Sequence, residues 1–391
     1  MNVIVFLKNN IKSRIANGHP WVYSNEIEKV SGNPAPGDIV DVRQGNAFIG
    51  KGSYNPHSAI MVRILSRKNE PINKSFFAAQ IIRALNYRKE FIKEETSFRV
   101  IFGEADGLPG LIVDKFADYL VMQINTLGMD KWRNEIVDVL AHIVHPKGIF
   151  AKDEDKSARR EQFTPQAGWI LGAGPELIPF DINGIHFLSD TRGQKTGFFL
   201  DQLTNAACTG CYAGGKTVLD AFSYTGNFGL HALKGNARFV RFVDYSQRAL
   251  EVLQETLSLN RIDPGRYDIV NGDTFDYLSH IYKSGEEFDL IIIDPPSLAK
   301  ARGSKLNALK GYRELNLRAM KILKPGGLLS TSSCTQVIYE EDFRKMLYSA
   351  AENTGRQVSI LYKGMQPPDH PVSLNIFETE YLQHYLLRIT L

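Results

Sequence analysis

Two rhythms of apolar residues divide the 391-residue chain. Over the first 68 residues, short apolar runs are broken by turn formers. They predict strands at Ile39 to Val42 after Pro36-Gly37, Ala47 to Gly50, and Ile60 to Leu65 after Asn55-Pro56, together a small barrel. Helical spacing at Phe77, Ile81, Leu85 and Ile92 predicts a helix over Lys74 to Lys93. Strands follow at Phe98 to Phe102, Leu111 to Lys115 and Tyr119 to Ile124, with Gly107-Leu108-Pro109-Gly110 as a turn and a helix from Lys131 to Ile143. The region to about Asp190 therefore reads as a small α+β unit.

From Thr217 the rhythm becomes a regular alternation of buried strand and amphipathic helix. Strands are expected at Val218 to Phe222, Phe239 to Asp244, Asp268 to Asn271, Leu290 to Asp294 and Leu328 to Ser332. Helices are expected between them at Phe228 to Lys234, Gln247 to Asn260, Thr274 to Tyr282 and Ala308 to Leu323. That is a parallel doubly wound α/β sheet. Helix Glu340 to Asn353, strand Val358 to Tyr362 and a final alternating run Tyr381 to Ile389 complete it, and an antiparallel last strand fits the class I methyltransferase (Rossmann-like) form. The expected domains are a barrel over 1–70, an α+β domain over 71–190 and the doubly wound domain over 191–391.

Composition supports cores for all three, since 43% of residues are hydrophobic. No apolar run approaches the roughly 18 to 20 residues of a membrane span, and the opening segment carries no small-residue cleavage site. A soluble, cytoplasmic protein is expected. Three cysteines, Cys208, Cys211 and Cys334, cannot build a disulfide framework, so a reducing compartment is the default. The net charge of +3 does not announce a nucleic-acid binder, but residues 1–70 carry +4 and the rest −1. A basic module on a neutral body suits contact with phosphates.

In a doubly wound sheet the ligand lies beyond the carboxyl ends of the strands. The first strand runs out through Asp220-Ala221-Phe222-Ser223-Tyr224-Thr225-Gly226-Asn227-Phe228-Gly229, a tight turn whose glycines admit close backbone approach. It is not the dinucleotide G-x-G-x-x-G, and its acid would repel a pyrophosphate while suiting a cationic sulfonium with an amino-acid tail. Asp244 ends the second strand, placed for ribose hydroxyls, and Gly272-Asp273 ends the third, placed for an adenine amino group. Each aspartate alone would be read as a cap or turn former. Three at successive strand ends behind one glycine turn point to S-adenosyl-L-methionine.

The fourth strand delivers Asp294-Pro295-Pro296-Ser297, a rigid turn that holds Asp294 toward a planar substrate, and the fifth ends Ser333-Cys334 at the same edge. Carbon 5 of a pyrimidine is a poor nucleophile until a thiolate adds at carbon 6. Cys334 can supply that thiolate and Asp294 can stabilise charge on the ring.

With these residues in view, the chain resembles the RlmI-type large-subunit ribosomal RNA cytosine-5 methyltransferases. The run Asp220 to Gly229, Asp294-Pro295-Pro296, Gly311-Tyr312 with Asn316, Ser333-Cys334 and Asp369-His370-Pro371-Val372 carry the resemblance, as does Thr191 to Gln202, TRGQKTGFFLDQ. At the amino end His19-Pro20-Trp21-Val22-Tyr23 and Gly50 to Asn55 resemble the PUA domain of that family, an RNA-binding barrel. The resemblance implies an enzyme acting on 23S ribosomal RNA, often a homodimer, with Cys334 as nucleophile. It also implies that Lys195, Phe199 and Gln202, with Phe222, Tyr224, Thr225 and Gly226, help hold the donor, and it makes Phe198 a pocket wall. Two-cysteine relatives carry a second cysteine where this chain has Ser297, so product release must proceed without that thiol.

Uracil-5 methylation shares the same residue pattern, and Asp-Pro-Pro also serves amino-group methylation of guanine. A third reading is an RNA-binding assembly factor without catalysis. The Cys208-Thr209-Gly210-Cys211 spacing lacks a second pair for zinc, and His370 is read first as a turn contact. Trp21, Tyr23, Tyr54 and His57 could stack on bases, although core packing is the commoner use of aromatics in so small a barrel.

Overall fold

The computed structural model describes residues 3–9, 14–92, 96–299 and 304–390; Lys12, and Lys93 at the expected end of the first helix, lie outside the described residues. Two compact units form. One comprises Met1–Phe180, Ser189–Gly197 and Pro368–Thr379; the other comprises Asp181–Leu188, Phe198–Pro367 and Glu380–Leu391.

The first unit begins with β1 (Ile4–Leu7), β2 (Trp21–Tyr23), β3 (Ile27–Ser31), β4 (Ile39–Gln44), β5 (Ala47–Tyr54) and β6 (Ile60–Ser66). They pair in the order β2-β6-β5-β4-β1-β3, with β1 and β4 parallel, around a core of Val5, Leu7, Val22, Val42, Val62 and Ile64. The first three strands go beyond the sequence reading. The residues of β1 give no alternation, β2 is three residues long, and β3 mixes Glu28 and Lys29 into its apolar positions.

Helix α1 (Lys74–Phe91) is capped by the Asn73 side chain, which accepts from the amide of Phe76. The chain continues through β7 (Phe98–Phe102), β8 (Leu111–Phe116), β9 (Tyr119–Ile124), α2 (Leu127–Asp130), α3 (Arg133–Val144), β10 (Gly148–Lys152), α4 (Asp155–Glu161) and β11 (Ala167–Gly172). A five-stranded sheet, β11-β10-β9-β8-β7, carries α1 and α3 against a core that includes Phe77, Ile81, Val113, Leu120, Ile136 and Leu140. Buried ion pairs tie this unit together, two of them with further hydrogen bonds. Glu161, wholly buried, accepts from Arg63 at 2.8 and 3.0 Å and from Ser58 at 2.6 Å. Arg88 grips both oxygens of Asp106 at 2.6 and 2.8 Å and donates to the carbonyl of Asp369 at 2.8 Å. Asp369 also accepts from the amide of Arg99 at 2.8 Å, and His19 Nε2 donates to Glu378 at 3.0 Å.

Strands β12 (Leu177–Ile182) and β13 (Ile185–Asp190) form a hairpin. Asn183 and Gly184 at its tip both have positive φ, 54° and 63°, the requirement of a two-residue primed turn.

The second unit holds α5 (Leu203–Gly210), β14 (Thr217–Ala221), α6 (Asn227–Lys234), β15 (Phe239–Asp244), α7 (Gln247–Leu259), β16 (Tyr267–Asn271), α8 (Thr274–Ser284), β17 (Phe288–Ile293), α9 (Lys305–Lys321), β18 (Leu323–Ser333), α10 (Glu340–Glu352), β19 (Gln357–Gly364) and β20 (Gln383–Thr390). Its sheet runs β16-β15-β14-β17-β18-β20-β19, the first five strands parallel and β20 antiparallel to both neighbours. Strand order reverses between β14 and β17, so the crevice for a ligand opens there. Strand β18 starts at Leu323, five residues earlier than expected: Leu323 pairs with Phe288, the register shifts over Lys324 to Gly327, where Gly326 sits at φ 80°, and regular pairing resumes at Leu290↔Leu328. Among the described residues no helix is long and apolar enough to cross a membrane.

Candidate active site

The loop after β14 is held in an unusual backbone conformation. Phe222 (φ 65°) and Tyr224 (φ 49°) are left-handed without being glycine, and Gly226 follows at φ 88°. A side chain in that region costs about 1–2 kcal/mol per residue. Three hydrogen bonds hold the turn: the amide of Ser223 to the carbonyl of Val243 at 3.0 Å, that of Tyr224 to Asp244 Oδ2 at 2.9 Å, and that of Gly226 to the carbonyl of Ser223 at 2.8 Å. Inside this turn the side-chain oxygens of Ser223 and Thr225, and both polar atoms of the Asn227 side chain, are buried with no hydrogen-bond partner. Buried polar groups are rarely left unpaired in native structures, so four such atoms in one loop mark a place shaped for a ligand.

Around the loop stand the acids expected from the strand ends. Asp220 is 1% exposed and accepts from the amide of Gly229 at 2.8 Å. Burial, with the charges of Asp294 and Asp244, pushes its carboxyl up to about 8 against that hydrogen bond. Asp244 accepts from Tyr224 at 2.9 Å and from the amide of Ser246 at 2.8 Å, and burial raises it too. Asp273 is exposed and caps α8, accepting from the amide of Asp276 at 3.1 Å. Gly229 is obligatory for close packing, because a Cβ there would lie 2.0 Å from Phe242 and 2.9 Å from Asp220 Oδ2.

Other expected donor contacts sort differently. Phe199 is half-buried with its ring edge-on to Tyr224 at 5.1 Å, and Phe222 meets Phe275 edge-on at 6.3 Å. Phe198 is not a pocket wall; at 2% exposure it packs on Phe187, ring centroids 5.0 Å apart, in the interior. Lys195 belongs to the first unit, where it pairs with Glu154 at 2.8 Å. Gln202 turns toward Asp294, its Nε2 donating to Oδ1 at 2.7 Å.

Asp294 is the first residue beyond β17, and Cys334 the first beyond β18. The parallel register Ile293↔Thr331 brings these strand ends side by side. Cys334 is half-buried, and its Sγ lies 3.7 Å from the carbonyl oxygen of Pro295. Burial and the neighbouring charge of Asp201 push the Asp294 carboxyl up to about 7, against hydrogen bonds from Gln202 and Ser332. Tyr312, wholly buried on α9, meets Thr335 at 2.8 Å; burial first, and then Cys334, drive its phenol above the ordinary value. Ser297 bonds the carbonyl of Ala299 at 2.9 Å and Thr335 Oγ1 at 3.1 Å, so it braces the cysteine's strand end. Strand pattern alone did not mark Asp201, Ser332 or His384, whose Nδ1 lies 3.0 Å from Ser332 Oγ.

Comparison with known proteins decides the family. Residues 5–67 match the PUA-like domain and residues 155–371 the S-adenosylmethionine-dependent methyltransferase family. The chain is 36% identical to ribosomal RNA large subunit methyltransferase I of Shewanella denitrificans, over all of both chains. This chain belongs to that methyltransferase family. The enzyme of that name from Aeromonas salmonicida is 35% identical, over 99% of this chain and all of its own. Solved structures agree on the fold: SMU.776, complexed with SAH, and a methyltransferase from Streptococcus mutans superpose with TM-scores of 0.86 and 0.85 at 22% identity, each covering 99% of this chain and all of the other. The methyltransferase thus combines a PUA-like amino-terminal module, as the family resemblance implies, with a class I Rossmann-like core, as its apolar rhythm predicts, and it is an S-adenosylmethionine-dependent ribosomal RNA methyltransferase. Its site suits that donor: a buried acid awaits positive charge, and the unpartnered atoms of Ser223, Thr225 and Asn227 await polar contacts.

Proposed function

We propose that the enzyme methylates carbon 5 of a cytosine in 23S ribosomal RNA, with Cys334 as nucleophile and Asp294 as the acid that polarises the ring. The observation that carries this reading is the placement of a half-buried thiol and a proton-holding carboxyl at adjacent strand ends. Asp220, Asp244, Asp273, Phe199 and the loop from Phe222 to Gly226 would hold the donor, and the amino-terminal barrel over 1–70 would hold RNA. Such an enzyme works in the cytoplasm, where its substrate is made.

When bound, the donor supplies an electrophilic methyl group. The chain's own residues do the rest. The Cys334 thiolate forms a bond to C6, and the displaced π electrons move toward N3, which takes the proton of Asp294. Carbon 5 is then enamine-like and accepts the methyl group. Loss of the C5 proton to a base restores the double bond, the C6–S bond breaks, the thiolate is regenerated and the N3 proton returns to Asp294. Cytosine N3 is an acceptor whereas uracil N3 carries a hydrogen. A carboxyl that keeps its proton to about 7 offers the donor that cytosine requires.

Ribosomal RNA carrying 5-fluorocytidine tests the chemistry, because fluorine at C5 prevents the final elimination. A donor-dependent protein–RNA adduct that survives denaturation and maps to Cys334 is the expected result. Undiminished methylation of normal RNA by Cys334→Ala would overturn it.

A further inference from the structure

Asp294 is aimed by a hydrogen-bond wire whose direction is fixed at its far end by the backbone. Asn205, wholly buried on α5, donates through Nδ2 to the carbonyl of Met365 at 3.3 Å and to Gln202 Oε1 at 2.7 Å. A carbonyl can only accept, so the amide group of Asn205 must face that way round. Its Oδ1 lies 3.5 Å from the Tyr362 hydroxyl, which agrees with this orientation. Gln202 Oε1 is then committed as an acceptor, which commits its Nε2 as the donor to Asp294 Oδ1 at 2.7 Å. The strand end opposite is shaped to leave Asn205 its place: a Cβ on Gly364 would stand 2.0 Å from Asn205 Oδ1.

We propose that Gln202, oriented by Asn205, is a specificity-determining positioning residue that holds Asp294 Oδ1 as a permanent acceptor and so confines the carboxyl proton to the other oxygen. This rests on the cytosine-5 reading above. An Asp294 free to rotate would present either an acceptor or a donor to the ring and would not distinguish N3 of cytosine from N3–H of uracil. The wire, beside the Ser332 hydroxyl that also bonds this carboxyl, removes that freedom. It also moves Gln202 from the donor-binding group, where the sequence placed it, to the base-reading group.

The test uses full-length Gln202→Glu, nearly isosteric but unable to donate when ionised, and Gly364→Ala, which displaces Asn205 without touching Gln202 or Asp294. Each is assayed on unmodified 23S ribosomal RNA transcript with saturating donor, with nucleoside analysis of the product and calorimetric donor binding. For Gln202→Glu, kcat is expected to fall on the order of tenfold to hundredfold, the rate equivalent of a hydrogen bond to a charged group. The donor Kd stays within about twofold. Gly364→Ala shifts the same two quantities in the same direction by less, and the ratio of 5-methyluridine to 5-methylcytidine rises in both variants. A weakened donor Kd with kcat intact would overturn the proposal by making Gln202 a donor ligand, as would intact kcat and base selectivity in Gln202→Glu. If the wild-type enzyme itself produced no 5-methylcytidine on the RNA it methylates, the parent reading would fail and take this one with it.

Discussion

Donor binding should release a proton at Asp220, with a pH dependence steep enough to measure. In the protein without donor, burial and the charges of Asp294 and Asp244 hold the Asp220 carboxyl up to about 8. A cationic donor favours the ionised form, so the bound complex titrates lower and binding expels the proton. Below the free-state value each pH unit costs about 1.4 kcal/mol, tenfold in affinity. Between pH 8 and pH 6 the donor Kd should therefore weaken about fiftyfold, the bound carboxyl staying ionised over that range, and above pH 8 it should level off. Titration calorimetry in two buffers of different ionisation enthalpy reads both the slope and the proton, about one released per donor near pH 7. Asp220→Asn should bind more weakly and lose most of the slope. Asp294→Asn, which removes a neighbouring charge, should move the midpoint to lower pH. A Kd constant from pH 6 to pH 8 in the wild-type enzyme would refute the reasoning.

The same carboxyl burdens the empty protein: its raised value means that the folded state keeps a proton the unfolded chain has lost, so stability falls as pH rises from about 4 to 8. Asp220→Asn should accordingly raise the Tm of the donor-free enzyme, more at pH 8 than at pH 5, by scanning calorimetry. Glu161→Ala strands Arg63 in the interior and should cost about 3–5 kcal/mol in urea unfolding; a loss under 1 kcal/mol would mean that water reaches the site. Gly229→Ala should destabilise by about 1–3 kcal/mol through overpacking on Phe242 and weaken donor binding with it, by denaturant titration and calorimetry.

Much of the doubly wound core was legible because β14, β15 and β17 are mostly apolar runs that carry an acid at or next to their carboxyl ends. Asp244 ends its strand, Asp294 and Cys334 directly follow theirs, Asp220 is the last residue but one of β14, and Asp273 stands two residues beyond β16. What stayed hidden depends on side chains meeting across sequence distance. The sequence puts Gln202 among the donor contacts but cannot show which way its amide points, which Asn205 and the carbonyl of Met365, 160 residues further on, decide. Phe198 and Phe199 are neighbours of one composition, and only packing against Phe187 sends one inward. The Asn183-Gly184 dipeptide is a hairpin signal that the sequence reading did not take up, while β2, at three residues, is too short to reveal a period.

The segment Pro368–Thr379 belongs to the first unit although both of its flanks belong to the second. It brings Asp369 to Arg88 and to the amide of Arg99, and Glu378 to His19. Neither half of the protein is thus a module that a single cut can excise. An expression fragment stopped after Gly197 would leave His19, and one bond of the buried Arg88, without their counterparts, and the exchange of amino-terminal halves between relatives must carry this distant dozen residues along.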